Sequence, residues 1–306
     1  MRPSPFLEGR NLFVSHTPII VTFSRETPFL IQHQHDFVEI AYVAEGEGIH
    51  FIENKKFLVS RGDVFIIPRG VAHVFQPFDL LGQHPFKVWN CIYKPEYVHS
   101  LPEFAERKQL IDYFIEADSV RNGASWLAFR NKAGLVEPLL RSMYLETQRP
   151  SENSPCNLCS SLLNLLSDLS SSTRATDVMP EISEYQYPIH TMLQYMVSHF
   201  NKPLTASEIS HKAALSLRHF QRLFKQITGA SFIKMLQHIR ILYSIWLLQH
   251  TDRSIQSIGQ EVGISDMKHF YYLFQKRLGM TPAAFRIQHD IPFANTFFDE
   301  LSVWHE

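Results

Sequence analysis

At 306 residues, 45% hydrophobic and 19% charged, the chain has the balance of a globular protein with two ordinary domains rather than a disordered one. No apolar run reaches the ~18 residues that a bilayer span needs, and the stretch from Met1 to Glu8 lacks the apolar core of a secretion signal. A membrane protein is excluded on this reading, and a cytoplasmic location is expected.

The formal charge of −1 conceals an asymmetry: residues 201–289 carry 12 Lys and Arg against 4 Asp and Glu, so the remainder carries 17 against 26. Positive charge concentrated in one segment suits a nucleic-acid partner.

Up to about Pro95 the chain reads as short strands. Ile19–Phe23, Val38–Val43, Ile49–Ile52 and Asp63–Ile67 are rich in β-branched and aromatic residues. Gly46–Gly48, Glu53–Lys56 and Arg61–Asp63 read as turns between them. Such even spacing predicts a barrel or sandwich over residues 1–100. His33, His35 and Glu39 occupy odd-numbered positions and so project from one face of an extended strand. His73 follows a Gly70 turn. Three imidazoles and a carboxylate suit a divalent metal, the hydroxyls of a small polar ligand, or mutual satisfaction at a barrel mouth.

Over residues 101–169 the pattern becomes helical, with Leu135, Leu139, Leu140, Met143 and Tyr144 at helix spacing and a break at Glu152–Pro155. This segment is the candidate dimerisation and support region. Cys156 and Cys159 form a Cys-X-X-Cys pair, but no second ligand pair follows at zinc-site spacing, so they read as residues of an ordinary helix. Ser170–Asp177 has linker composition, and the linker is assigned to residues 170–185.

Residues 186–290 form the second domain, where one helix-turn-helix pattern occurs twice, 49 residues apart (Ser216 and Ser265). Phe220 and Phe270, Phe224 and Phe274, and Gly229 and Gly279 anchor the repeat. A short helix, a tight turn and a Ser-capped second helix is how proteins put side chains into a DNA major groove. The paired phenylalanines, four residues apart, mark the buried face of each second helix. Opposite them lie Leu217, Arg218, Gln221, Arg222 and Lys225 in the first unit, and Met267, Lys268, Tyr271, Tyr272 and Gln275 in the second. Arg reads guanine and Gln reads adenine through paired hydrogen bonds, so Arg218, Gln221 and Arg222 are the expected base readers. Lys225 and Lys212 suit phosphate contacts. An apolar stripe through Phe232, Met235, Leu236, Ile239, Leu242, Tyr243, Trp246 and Leu247 predicts a long helix joining the units.

Residues 200–286 resemble the AraC/XylS family of transcription regulators. The likeness is carried by Leu247-Leu248, Thr251, Ser254-Ile255, Ile258-Gly259, Val262-Gly263-Ile264, Asp266, the run His269–Lys276, Gly279, Thr281-Pro282 and Phe285-Arg286. Tyr272 stands where the family usually has Arg, Gly259 for the usual Ala and Gln275 for Lys. His33-X-His35-X-X-X-Glu39 and Gly62–His73 resemble the two cupin motifs, whose three-His, one-Glu set binds a divalent metal in cupin enzymes. His35–Val43, Gly46–His50, Arg61–Ile67 and Trp89–Tyr93 resemble the rhamnose-responsive members and their relatives for other sugars.

The resemblance implies an all-β cupin-like barrel with added helices, followed by an all-α double helix-turn-helix domain. It further implies a homodimeric activator of carbohydrate catabolism genes that binds double-stranded DNA, works with RNA polymerase and answers a small effector, a sugar, held by His33, His35, Glu39 and His73. No cofactor is expected, and the same four residues would be the ligands if a divalent metal were held. The rival reading is a metal-dependent cupin enzyme, an isomerase or dioxygenase, with an accessory helical domain.

Overall fold

The computed structural model describes residues 6–7, 12–13, 19–80, 83–96, 126–130, 134–172, 181–183 and 187–287. Most of the helical expectation before residue 126, and the middle of the expected linker, lie outside these residues. The chain divides into two compact units, Met1–Ser183 and Glu184–Glu306.

Among its described residues the first unit holds ten strands: β1 (Phe6–Leu7), β2 (Ile19–Arg25), β3 (Gln34–His35), β4 (Val38–Glu45), β5 (Glu47–Ile52), β6 (Lys55–Ser60), β7 (Asp63–Ile67), β8 (His73–Pro77), β9 (Lys87–Tyr93) and β10 (Leu127–Arg130). Two antiparallel sheets of order β10-β7-β4-β9-β2 and β6-β5-β8 enclose an interior, and β1 pairs parallel with β3. Ala41, Val43, Phe65, Ile67 and Val88 from the larger sheet meet Ile52, Phe57, Val59 and Phe75 from the smaller one. Helices α1 (Val136–Gln148) and α2 (Ser154–Ser172) cover the outer face of the larger sheet. There Leu140, Met143, Leu158, Leu162 and Leu166 bury Val38, Ile40, Tyr42, Trp89, Cys91 and Tyr93.

Four local expectations change. The turn expected over Glu53–Lys56 needs only Glu53 and Asn54, with Glu53 in the left-handed region at φ 51°. Lys55 and Lys56 already belong to β6, where Phe57 and Val59 point inward and Leu58 outward. The helical run is interrupted by β10, which pairs with β7 from Leu127 opposite Ile66 to Arg130 opposite Asp63. Arg130 Nε donates to Asp63 Oδ1 at 2.8 Å and Ser60 N to Asp63 Oδ2 at 2.7 Å, so the buried carboxylate draws this segment onto the sheet. Leu135 precedes α1 and is 52% exposed, while Leu139 and Tyr144 pack partly and Leu140 and Met143 fully. Finally, helix α2 runs on to Ser172, past the expected start of the linker, with Cys156 exposed and Cys159 buried as free thiols.

The second unit is helical: α3 (Pro188–His199), α4 (Ala206–Lys212), α5 (Leu217–Thr228), α6 (Phe232–His250), α7 (Ile255–Glu261), α8 (Met267–Leu278) and α9 (Pro282–Ile287). Thr205 and Glu208 form a capping box at α4; Ser216, Ser231 and Ser254 cap α5, α6 and α7; Gly229 and Gly279 end α5 and α8 in the left-handed region. Helix α6 is the axle, packed against α5, α7, α8 and α9 and buried around most of its circumference. Trp246 departs from its expected place in the apolar stripe: it is 43% exposed, and Ile241, Ile245 and Leu248 are buried instead. Arg240 of α6 donates to Phe200 O (2.8 Å) and Lys202 O (3.0 Å), satisfying carbonyls just past the end of α3.

The one-residue slip of the repeat is localised. Leu215 N donates to Ser210 O, and Ile264 N to Gly259 O, so the two turns match through Ile264. Ser265 is then an extra residue, and the cap of α8 is Asp266, whose Oδ1 accepts from Lys268 N and His269 N. Serine capping, expected at both recognition helices, therefore holds at Ser216 only. At the turn itself Gly263 has φ 82°, and a Cβ there would meet Asn201 O at 2.8 Å. Its counterpart is Ala214, a residue with a Cβ held at φ 54°.

Left-handed backbone costs a non-glycine about 1–2 kcal/mol, against about 0.4–1 kcal/mol of extra unfolded-state entropy for glycine. Ala214→Gly is expected to stabilise the second unit by about 0.5–1 kcal/mol, and Gly263→Ala to destabilise it by more than about 1 kcal/mol. Urea unfolding of the two variants checks both signs.

Candidate functional site

Two regions of the molecule carry chemistry. The first is a polar cluster inside the barrel. His33, His35, Glu39 and His73 are brought together, although not along one strand as expected: β3 ends at His35 and β4 begins at Val38, with exposed Asp36 and buried Phe37 between. His33 and His73 are joined by paired backbone hydrogen bonds of 3.0 and 2.9 Å. His35 Nε2 lies 3.2 Å from His73 Nε2 and 3.4 Å from Glu39 Oε2, which is 3.6 Å from His73 Nε2. His33, Glu39 and His73 each offer an atom within 4.8 Å of the others.

The tautomers follow from the partners. His35 Nδ1 donates to Phe37 O at 2.8 Å and His33 Nδ1 to Ile31 O at 3.1 Å, which leaves a lone pair on each Nε2. His73 Nε2 then donates to His35 Nε2, and His73 Nδ1 has no hydrogen-bond partner among the described residues. Burial lowers the pKa of all these rings, that of His35 to about 4 and that of His73 well below the usual imidazole value. Burial pushes Glu39 up to about 8, so at neutral pH the carboxyl is protonated among neutral imidazoles.

Three more residues belong to this cluster and were not found from sequence. His50 of β5 stacks on Phe75 at 3.9 Å, meets the His73 ring edge-on at 5.7 Å, and has neither ring nitrogen hydrogen-bonded among the described residues. Its signal is the β5·β8 register, which sets His50 opposite Phe75 and His73 opposite Ile52, hence on one face. Asn90 of β9, with its amide nitrogen turned inward, donates to Glu39 Oε1 at 3.2 Å. Glu26 is buried just beyond β2, and burial together with the neighbouring Glu39 raises it to about 8. No Lys or Arg among the described residues of this unit is buried.

The second region is the outward face of the recognition helices. In α5, Phe220 and Phe224 are fully buried, and Leu217, Arg218, Gln221, Arg222 and Lys225 are all exposed. His219 and Gln226 share that exposure and were not singled out. In α8, Lys268, Tyr271, Tyr272 and Gln275 are exposed, Tyr272 by 57%. Met267 is not on that free face. It is half-buried, with its Sδ 2.8 Å from where a Cβ of Gly259 would lie, so it fills the space that a side chain on α7 would take. Tyr272 is flanked by the His269 ring and by Lys276 Nζ, 5.7 Å from its centroid. His269 Nε2 in turn lies 3.3 Å from Gln237 Nε2 on α6.

A barrel with a buried polar cluster, joined to a paired helix-turn-helix unit, is the architecture of a ligand-responsive DNA-binding protein. The family comparisons agree: an AraC-like ligand binding domain matches residues 19–88 and a helix-turn-helix domain matches residues 209–288. The chain thus carries an AraC-like ligand binding domain and a helix-turn-helix domain, and the latter supports double-stranded DNA as a partner. Among curated proteins it is similar to the HTH-type transcriptional activator RhaR of Enterobacter sp. (strain 638), 25% identical over 83% of this chain and 86% of the relative. It is equally similar to RhaR of Yersinia pestis bv. Antiqua (strain Angola), 25% identical over 94% and 95%. Among solved structures it resembles the C-terminal domain of AraT, a response regulator from Geobacillus stearothermophilus, at 28% identity over 37% of this chain and 94% of that one, TM-score 0.33. The DNA-binding domain of AdpA in complex with a target DNA matches at 25% identity over 33% and 91%, TM-score 0.32. These curated relatives are named as transcriptional activators and not as enzymes. No helix among the described residues is long and apolar enough to cross a membrane.

The buried titratable groups set opposite pH slopes. Between pH 4.5 and about 8, unfolded Glu26 and Glu39 are ionised while the folded forms hold protons, so stability falls as pH rises. Below pH 6.5 the unfolded imidazoles take up protons that the buried ones refuse, so stability falls as pH drops. Only the carboxyl contribution remains between pH 6.5 and 8, at up to ~1.4 kcal/mol per pH unit for each carboxyl. The unfolding midpoint of the first unit should therefore drop over that interval, and Glu39→Gln should flatten the drop; a wild-type midpoint rising with pH would contradict the assignment.

Proposed function

We propose that this chain is an activator of carbohydrate catabolism genes, switched by a free sugar held at the polar end of the barrel by His33, His35, Glu39 and His73, with His50, Asn90 and Glu26 completing the site. The observation that carries the reading is the donor and acceptor balance. His33 Nε2 and His73 Nδ1 offer lone pairs, His50 has one donor and one acceptor nitrogen unpartnered, and two protonated carboxyl groups stand with no buried cation among the described residues. Such a mixed set of donors and acceptors is complementary to a neutral polyol, whose hydroxyls both donate and accept, and it offers no buried cation among the described residues to compensate an anion. The names of the RhaR activators point the same way. Equilibrium dialysis against free sugars, L-rhamnose included, alongside their phosphates and acids, tests this. One free sugar is expected to bind and its phosphate to fail; binding of the phosphate alone would overturn the assignment.

A divalent metal is the second reading, favoured by one observation. The His35, Glu39 and His73 atoms stand 3.2, 3.4 and 3.6 Å apart, close to the ~3.3 Å edges of a tetrahedron with ~2.05 Å bonds. The two Nδ1–H bonds to backbone carbonyls are the outer support that metal-binding histidines use. With His33 these residues would hold the ion, which would act as a Lewis acid towards ligand hydroxyls. Elemental analysis of the purified protein, and of His73→Ala, separates the readings.

On the DNA side, Arg218, Gln221 and Arg222 of α5 read bases, Lys225 and Lys212 contact phosphates, and α8 contributes Lys268, Tyr271 and Tyr272. Leu217 makes apolar base contact, and Met267 acts by packing. With α5 and α8 both seated on α6, the two helices would enter successive major grooves about 34 Å apart. The active form is a homodimer that engages RNA polymerase in the cytoplasm. Arg218→Ala and Arg222→Ala are each expected to cost about 1–3 kcal/mol on selected DNA and far less on random DNA, whereas Lys225→Ala weakens both alike. Equal losses on both DNAs would make the arginines phosphate contacts.

A further inference from the structure

Strand β6 is the outer strand of the smaller sheet, with β5 on one side. Its other edge is covered. Glu181 forms an antiparallel bridge with Phe57, Ile182 N donates to Lys56 O at 2.9 Å, and Lys55 Nζ lies 3.8 Å from Glu181 Oε2. These residues belong to the connection between α2, which ends at Ser172, and α3, which begins at Pro188.

Two consequences follow. First, the docking shortens the tether of the DNA-binding unit. From Ser172 to Pro188 a free chain of sixteen steps reaches ~58 Å, whereas from docked Ser183 five steps reach ~18 Å. Second, the docking point backs onto the polar cluster. Phe57, bridged to Glu181, stands opposite His50 in the β5·β6 register. His50 stacks on Phe75 and meets His73 edge-on at 5.7 Å, and His73 belongs to the triangle with His35 and Glu39. A continuous line of packed groups thus runs from the candidate effector site to the connection between the units.

We propose that residues 181–183 are a latch: docked on β6 they hold the DNA-binding unit on a short tether, and occupancy of the polar cluster shifts the balance between docked and released. The proposal rests on the reading of that cluster as the effector site. Among the described residues the latch is held by one antiparallel bridge, of which the Ile182–Lys56 hydrogen bond is part, and by an exposed ion pair; a ligand with different affinity for the docked and released states shifts their balance. An edge strand offers its unpaired backbone groups to a neighbouring segment, and the Lys55–Glu181 ion pair favours residues 181–183 as that segment.

The test uses the full chain, DNA that it selects from a random pool, and free sugars with L-rhamnose first. Ile182→Pro removes the donated N–H, Ile182→Ala keeps it, and Glu181→Lys reverses the ion pair without touching the backbone. In hydrogen exchange the Ile182 amide should be protected about tenfold or more over a free peptide. Ile182→Pro and Glu181→Lys should each shift affinity for the selected DNA by about threefold or more, and Ile182→Ala should not. A sugar that alters wild-type DNA binding should still bind Ile182→Pro, with its affinity shifted by the same coupling, while losing its effect on DNA. An unprotected Ile182 amide, or an Ile182→Pro variant with wild-type DNA affinity and sugar response, would overturn the latch. If no sugar acts on the wild type, the sugar reading fails, and the amide protection and the basal DNA shift still decide the latch.

Discussion

Strand β4 has no solvent side. Val38, Ile40, Tyr42 and Ala44 face the layer of α1 and α2, while Ala41 and Val43 face the barrel interior together with Glu39. Because side chains alternate along a strand, a slip of one residue would drive Glu39 into the sheet–helix layer and bring Ile40 into the polar cluster. Two-sided burial therefore permits one register only, and that register sets Glu39 opposite Ile67 and Ile92 and beside Asn90. The cost is a carboxyl group held at a pKa of about 8. A fold that needed only a core would put an aliphatic residue there. The cluster is the part of the barrel whose chemistry packing alone does not explain.

The second unit solves a different problem with one shared element. Neither helix-turn-helix can bury its own phenylalanines unaided, and α6 provides the common surface for Phe220, Phe224, Phe270 and Phe274. The two units diverge where they meet solvent. Helix α5 presents two arginines, a lysine and two glutamines, whereas α8 presents two tyrosines, two lysines and a glutamine and has its first helical residue, Met267, half-buried against Gly259. The extra Ser265 also moves the cap onto Asp266, which places a carboxylate at the end of α8 nearest the expected DNA surface. These differences are the physical grounds on which α5 is proposed as the stronger reader.

Legibility in the sequence followed the range of the interactions. The helix cap at Ser216 and the paired phenylalanines are local patterns, as is the β-branched and aromatic enrichment that marks β4 and β7. His33, His35, Glu39 and His73 could be grouped by likeness to known motifs. His50, Asn90 and Glu26 could not, because membership in the site depends on cross-strand register and on which face each strand turns inward. Strand β10 was hidden for a similar reason: its pairing is with β7, more than sixty residues earlier, through the Asp63–Arg130 contact. Leu135, Trp246 and Met267 were misjudged at single positions, where periodicity cannot tell a helix end or a glycine-made pocket from an ordinary face.

The central claim is that the buried polar cluster governs DNA binding. The most direct measurement is the affinity of the full chain for DNA that it selects from a random pool, titrated with each free sugar, for the wild type and for Glu39→Gln side by side. One sugar should change the wild-type affinity by about fivefold or more, within the usual range of coupling between sites, and leave Glu39→Gln unmoved. Wild-type affinity indifferent to every sugar, or an equal response in Glu39→Gln, would contradict the account.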